Sequence, residues 1–160
     1  ARANKRAMVC GRQSSGVRLT AGGSDGRQRS SMSRKRILVV EDNEDNRRIL
    51  LYRLRKIGDF DIVETANGAE AVAAVESNPP DLIFMDLKMP VMDGWEATRR
   101  IRALDAGRAI PIIALTAQAM AGDEQKALAN GCNDYLAKPV VDPSLVREKI
   151  ERLLGAATKH

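Results

Sequence analysis

Cysteine and histidine are nearly missing from this 160-residue chain, which has only Cys10, Cys132 and His160. The two cysteines form no CxxC pair and have no histidine beside them, so the sequence offers neither a zinc site nor a disulfide framework. They read as reduced thiols of a cytosolic protein, with Cys132 inert and buried. No apolar run approaches the ~18 residues of a membrane span, and the longest are strand-length pieces such as ILVV. The N-terminus is basic but lacks a continuous apolar core, which excludes an ordinary secretory signal. A phosphate loop of the form GxxxxGKS or GxxxxGKT is also missing. The expectation is a cytoplasmic protein with no membrane span, of a length that suits one domain.

Acidic residues are almost missing from the first 36 positions, where ten lysines and arginines face Asp25 alone. That segment carries about +9 of a chain total of +5, which leaves the remainder at about −4. Residues 1–33 are rich in Gly, Ser and Arg and show no periodicity, so they are expected to form a disordered basic extension. Met32 stands just before the first ordered element and is read as the initiator. A rival reading makes residues 1–36 a basic arm for nucleic acid or anionic membrane, although no aromatic residues are interleaved with the arginines.

From Arg36 onward, short apolar runs alternate with longer amphipathic ones. RILVV, FDIVETA, DLIFM, PIIAL and DYLAK read as strands, separated by helices near 44–57, 67–77, 94–104, 118–130 and 142–154. The strands are apolar on successive residues, as in a parallel sheet covered on both faces. The fold class is therefore α/β, a flavodoxin-like (βα)5 doubly wound parallel sheet of order 2-1-3-4-5 in a single domain. Ligands of such sheets bind outside the carboxyl ends of the strands.

Those ends carry the chemistry. Glu41 and Asp42 end the first strand and Asp86 ends the third, which is the neighbour of the first in this order. Two carboxylates about 5 Å apart repel by roughly 3 kcal/mol at an effective dielectric near 20. A hard cation removes the conflict, and Mg2+ suits an oxygen-only donor set that leaves positions open for phosphate oxygens. Thr116 at the fourth strand end and Lys138 at the fifth supply a hydroxyl and an ammonium group for anionic oxygens.

The segments ILVVEDNEDN, DLIFMDLKMPVMDGWEATRRIR, PIIALTA and GCNDYLAKP together resemble the receiver domain of two-component response regulators, over about residues 35–154. The resemblance implies that Asp86 is the phosphoacceptor. It makes Asp42, Asp86 and the backbone carbonyl of Lys88 magnesium ligands, with Glu41 acting through a bound water. Lys138 would pair with the phosphoryl group across a cis Lys138-Pro139 bond, Thr116 would reach it after activation, and Tyr135 would be the aromatic that changes rotamer. Lys88 and Gln118 match positions that tune dephosphorylation, Asp93 a helix cap, and Trp95 a packing residue. The responsive surface is the fourth helix, fifth strand and fifth helix, and the fourth helix is short of large apolar anchors.

On this reading the domain spans 34–156, with a short tail at 157–160. Partners would be a histidine kinase or histidine phosphotransfer protein as donor and a downstream protein target. Only GAATKH follows Leu154, so a stand-alone regulator without a DNA-binding domain is expected; a receiver from a hybrid histidine kinase is the alternative. A phosphatase of the DxD type fits less well, because the first strand ends EDNED and the nucleophile candidate lies on the third. The chain is not expected to be an enzyme beyond catalysing its own phosphorylation and dephosphorylation.

Overall fold

The computed structural model describes residues 34–117 and 121–155. The expectations for residues 1–33, Gln118 and the tail at 157–160 lie outside the described residues. Among the described residues ten elements alternate: β1 (Arg36–Val40), α1 (Glu44–Ile57), β2 (Asp61–Thr65), α2 (Gly68–Ser77), β3 (Leu82–Asp86), α3 (Gly94–Ala103), β4 (Ile112–Thr116), α4 (Ala121–Ala129), β5 (Asp134–Ala137) and α5 (Pro143–Leu154). The strands form one parallel sheet in the order β2-β1-β3-β4-β5, the flavodoxin-like order expected.

Neighbouring residues of a strand serve opposite faces of the sheet. Ile37 and Val39 join Leu82, Phe84, Ile113 and Leu115 in a core covered by Leu50 and Leu54 of α1 and by Val146 and Ile150 of α5. Leu38 and Val40 join Ile83, Met85, Ile112 and Ala114 under Ala71, Val75, Ala97 and Ile101 of α2 and α3. Each fully buried Leu, Ile or Phe contributes about 1.5–3 kcal/mol, which is why these strands carry no polar alternation.

α1 and α3 start where the sequence reading places them, and α2 and α5 start one residue later, because a cap stands at the expected first position. Asn67 and Asp142 stand outside their helices, with side-chain oxygens that accept N–H bonds from Glu70 at 2.9 Å and Ser144 at 2.9 Å. Asn43 caps α1 and Asp93 caps α3 in the same way, each at 2.9 Å, as expected for Asp93. Among its described side chains, α4 buries only Ala127, while Leu128 is exposed. The scarcity of anchors read from the sequence is therefore real.

Arg102 ties three segments together at the amino edge of the sheet. Its guanidinium donates to the carbonyls of Gly131 at 2.9 Å, Gly107 at 2.7 Å and Ile110 at 2.7 Å, and to Asn133 Oδ1 at 2.8 Å. Arg102→Leu keeps the aliphatic stem and strips the donors, so it should cost about 2–3 kcal/mol in urea unfolding. A loss below about 0.5 kcal/mol would show that water replaces the clamp.

Candidate functional site

The ends of β1, β3, β4 and β5 bring the predicted residues together. Glu41, Asp42 and Asp86 each place a carboxylate oxygen within 4.8 Å of the others. Glu41 and Asp86 are each 1 % exposed, whereas Asp42 is open to solvent. The buried pair is held by its neighbours. Glu41 accepts the Asn43 N–H at 3.0 Å, and Asp86 Oδ1 accepts the Lys88 N–H at 3.2 Å.

Lys138 stands between the buried acids, with Nζ 3.1 Å from Asp86 Oδ1 and 3.2 Å from Glu41 Oε2. Burial works to lower its pKa, but Asp86 and then Glu41 outweigh burial and hold the ammonium above its ordinary value. Asp86 is pushed up to about 7, by burial first and by Glu41 next, with Lys138 pulling it back. One cation shared by two buried acids leaves the carboxylates under-compensated. Asp86 Oδ2 is buried without a hydrogen-bond partner, the mark of a group built to meet something the protein does not supply. The donor set is all oxygen, which fits a hard divalent ion such as magnesium.

The backbone of β5 fixes where Lys138 stands: its N–H donates to the Thr116 carbonyl at 2.7 Å, and the Lys138–Pro139 bond is cis, as expected. Thr116, almost buried, lines a cavity of about 110 Å3 with Asp86, Lys88, Trp95, Asp123 and Lys138. Tyr135 lies on β5 with a half-buried ring outside that cavity's lining. Trp95 packs against the second core, as expected, yet also walls the cavity beside Asp86. Asp123 was not singled out from the sequence, because an acid in the first turn of a helix reads as an ordinary partner of the helix dipole. The bridge from Lys138 to Glu41 was also missed, since 97 residues separate the two.

The loop after Asp86 folds back sharply enough that α3 begins against the strand end. Gly94 donates its N–H to the Leu87 carbonyl at 3.1 Å, and a Cβ placed there would lie 2.1 Å from the Asp86 carbonyl oxygen. Within that loop Val91 has φ 68°, a conformation costly for a β-branched residue. A wider groove of about 760 Å3 lies beside the end of α1, lined by Arg55, Lys56, Gly58, Asp59 and Arg147. It is at the amino edge of the sheet and holds none of the clustered carboxylates. Cys132 is buried, as expected, and burial raises its thiol pKa. Among the described residues no helix is long and apolar enough to cross a membrane.

Known proteins share this arrangement. The sequence pattern of the response regulator receiver domain matches residues 37–151. The polar-differentiation response regulator DivK of Brucella anthropi is 38% identical over 123 residues, covering 77% of this chain and 98% of that protein. The receiver domain of the sensor histidine kinase PA1611 from Pseudomonas aeruginosa was solved with a magnesium ion coordinated in its active site cleft. It aligns with a TM-score of 0.70 at 42% identity, covering 77% of this chain and 99% of that one. A co-crystal structure of the Saccharomyces cerevisiae histidine phosphotransfer protein Ypd1 with the receiver domain of its downstream response regulator Ssk1 aligns with a TM-score of 0.70. Its identity is 36%, and the match covers 78% of this chain and 92% of that one. With strand order, acid cluster and sequence pattern in agreement over most of its length, the chain belongs to the receiver-domain family of two-component response regulators.

Proposed function

We propose that residues 34–156 form a cytoplasmic phosphoacceptor module in which Asp86 takes a phosphoryl group from a phosphohistidine on a histidine kinase or histidine phosphotransfer protein. The observation that carries this reading is the buried Asp86 carboxylate, paired with Lys138 through one oxygen and without a hydrogen-bond partner on the other. An Asp86 oxygen attacks phosphorus in line. The new P–O bond forms as the P–N bond breaks, and the imidazole nitrogen keeps the electron pair and takes up a proton. Lys138 offsets charge on the transferred oxygens, moving from the carboxylate to the phosphoryl group.

Asp42, Asp86 and the Lys88 carbonyl would hold magnesium, with Glu41 contributing through a water. When bound, the ion neutralises negative charge on the acids and on the phosphoryl oxygens. Once the acyl phosphate has formed, the Thr116 hydroxyl donates to it and Tyr135 turns toward the space Thr116 leaves. This biases the α4-β5-α5 surface toward a downstream protein. Water attack on phosphorus then breaks the P–O bond, releases inorganic phosphate and restores the Asp86 carboxylate. The chemistry is the same in a stand-alone regulator and in a receiver within a longer kinase, a setting that the PA1611 receiver exemplifies.

Incubation with acetyl phosphate and magnesium, followed by intact mass measurement, tests the reading. The wild-type chain should gain one phosphoryl group that hydroxylamine removes, and the gain should vanish with chelation or in Asp86→Asn. Should the wild type stay unmodified while magnesium demonstrably binds, Asp86 is not an acceptor.

A further inference from the structure

Among the described residues most arginines stand against an acid: Arg36 lies 2.7 Å from Asp61, Arg47 3.2 Å from Glu64 and Arg100 2.8 Å from Glu96. Arg55 and Lys56 in the last turn of α1, and Arg147 on α5, have no carboxylate partner among those residues. All are exposed, and all line the same groove of about 760 Å3 at the amino edge of the sheet.

The end of α1 accounts for part of this charge, because cations offset the last carbonyls of a helix. Arg147 reaches the Ile57 carbonyl at 3.5 Å, the long limit of a hydrogen bond, and Lys56 Nζ lies 5.3 Å from the centre of the Tyr52 ring. The magnitudes do not balance, however. A helix end offers about half a negative charge, against three full cations in the lining. Asp59, the acid in the same lining, is already paired with Arg34 at 3.1 Å. Positive charge is left over, facing a hollow within the size range of small-molecule sites.

The lining is also apolar in part. Phe60 and Ile62, both half-buried, pack against the first core and border the groove as well. Guanidinium groups meet phosphate oxygens with paired donors, and an aromatic ring offers a face on which a flat base can stack. Cations and an aromatic ring around one hollow therefore suit a ligand that joins phosphate to a base.

We propose that this groove is a nucleotide site, in which Arg55, Lys56 and Arg147 take the phosphates and Phe60 takes the base. The donors are side chains, so a glycine-rich phosphate loop is not required. The groove lies at the opposite edge of the sheet from Asp86, and the site does not depend on Asp86 being an acceptor.

Titration of the full 15N-labelled chain with ADP and with GDP, read by amide chemical shifts, tests the site. Saturable shifts should centre on residues 55–62 and on Arg147. Pyrophosphate, which carries the same diphosphate without a base, should bind about threefold or more weakly. Arg55→Gln and Arg147→Gln should each weaken nucleotide binding about five- to tenfold. Both residues are exposed, so these variants should unfold at the wild-type urea midpoint. Phe60→Leu should weaken nucleotide about threefold and leave pyrophosphate unchanged. Shifts confined to the basic residues 1–36 or to the Asp86 pocket would overturn the proposal. So would unchanged affinity in Arg147→Gln, pyrophosphate binding as tightly as both nucleotides, or no saturation by either nucleotide up to about 5 mM.

Discussion

Asp86→Asn is expected to make the unmodified protein more stable at neutral pH by about 2–3 kcal/mol, while ending its capacity to accept a phosphoryl group. The reason is the position of its pKa, raised from 3.8 to about 7 by burial and by Glu41. Between about pH 4 and about pH 7 the folded protein keeps a proton on Asp86 that the unfolded chain has released. The stabilisation from that proton is complete below about pH 4 and is lost as pH rises through about 7. Asparagine carries no charge to desolvate, and Lys138 retains Glu41 at 3.2 Å, so no buried cation is orphaned. Urea unfolding at pH 4, 5.5 and 7.5 checks this. The wild type should lose stability across the series relative to the variant, by up to about 1.4 kcal/mol per pH unit in the middle of the window. Magnesium should restore part of the difference at pH 7.5 and much less at pH 4, where protons compete for the site. Equal stability at pH 7.5 without magnesium would mean that the buried carboxylate is not strained.

Gly94→Ala should damage fold and site together. The added methyl would meet backbone on two sides, the Asp86 carbonyl oxygen at 2.1 Å and the Leu87 Cα at 2.8 Å, and neither can rotate away as a side chain could. Either α3 backs off from the end of β3 or the strand end shifts, and a shift moves the Asp86 carboxylate relative to Lys138. The expected cost is about 2–3 kcal/mol of stability, with acetyl phosphate labelling slowed about tenfold or more. Unfolding and labelling measured on the same preparation check it. A stable variant that labels at the wild-type rate would show that the loop absorbs the methyl without moving the site.

The fold was legible because this sheet is buried on both faces. ILVV and LIFM are apolar at every position, and two of the helices announce themselves through Asp93 and the Asp142-Pro143 pair. The acid pocket was legible for a related reason: parallel strands all end at one edge, so Glu41, Asp42, Asp86, Thr116 and Lys138 had to meet there. Contacts made by side chains across the sheet edge were not legible. Nothing in the pattern says that Lys138 bonds Glu41 as well as Asp86, that Trp95 turns one face to the cavity, or that Arg102 collects carbonyls from two loops. Such partners depend on rotamers and loop paths, which carry no periodicity. The strain at Val91 was equally hidden, since valine is the last residue that composition would assign to a left-handed turn.

The light anchoring of α4 bears on how such a domain can diversify. Of its described side chains only Ala127 is buried, so most of its surface can be rewritten with little penalty to folding. The pocket around Asp86, by contrast, is built from residues at strand ends, with Glu41 and Asp86 buried. On the proposed function, a new reader protein can therefore be matched at the exposed positions of α4, while Asp123 of the same helix stays with the cavity beside Asp86.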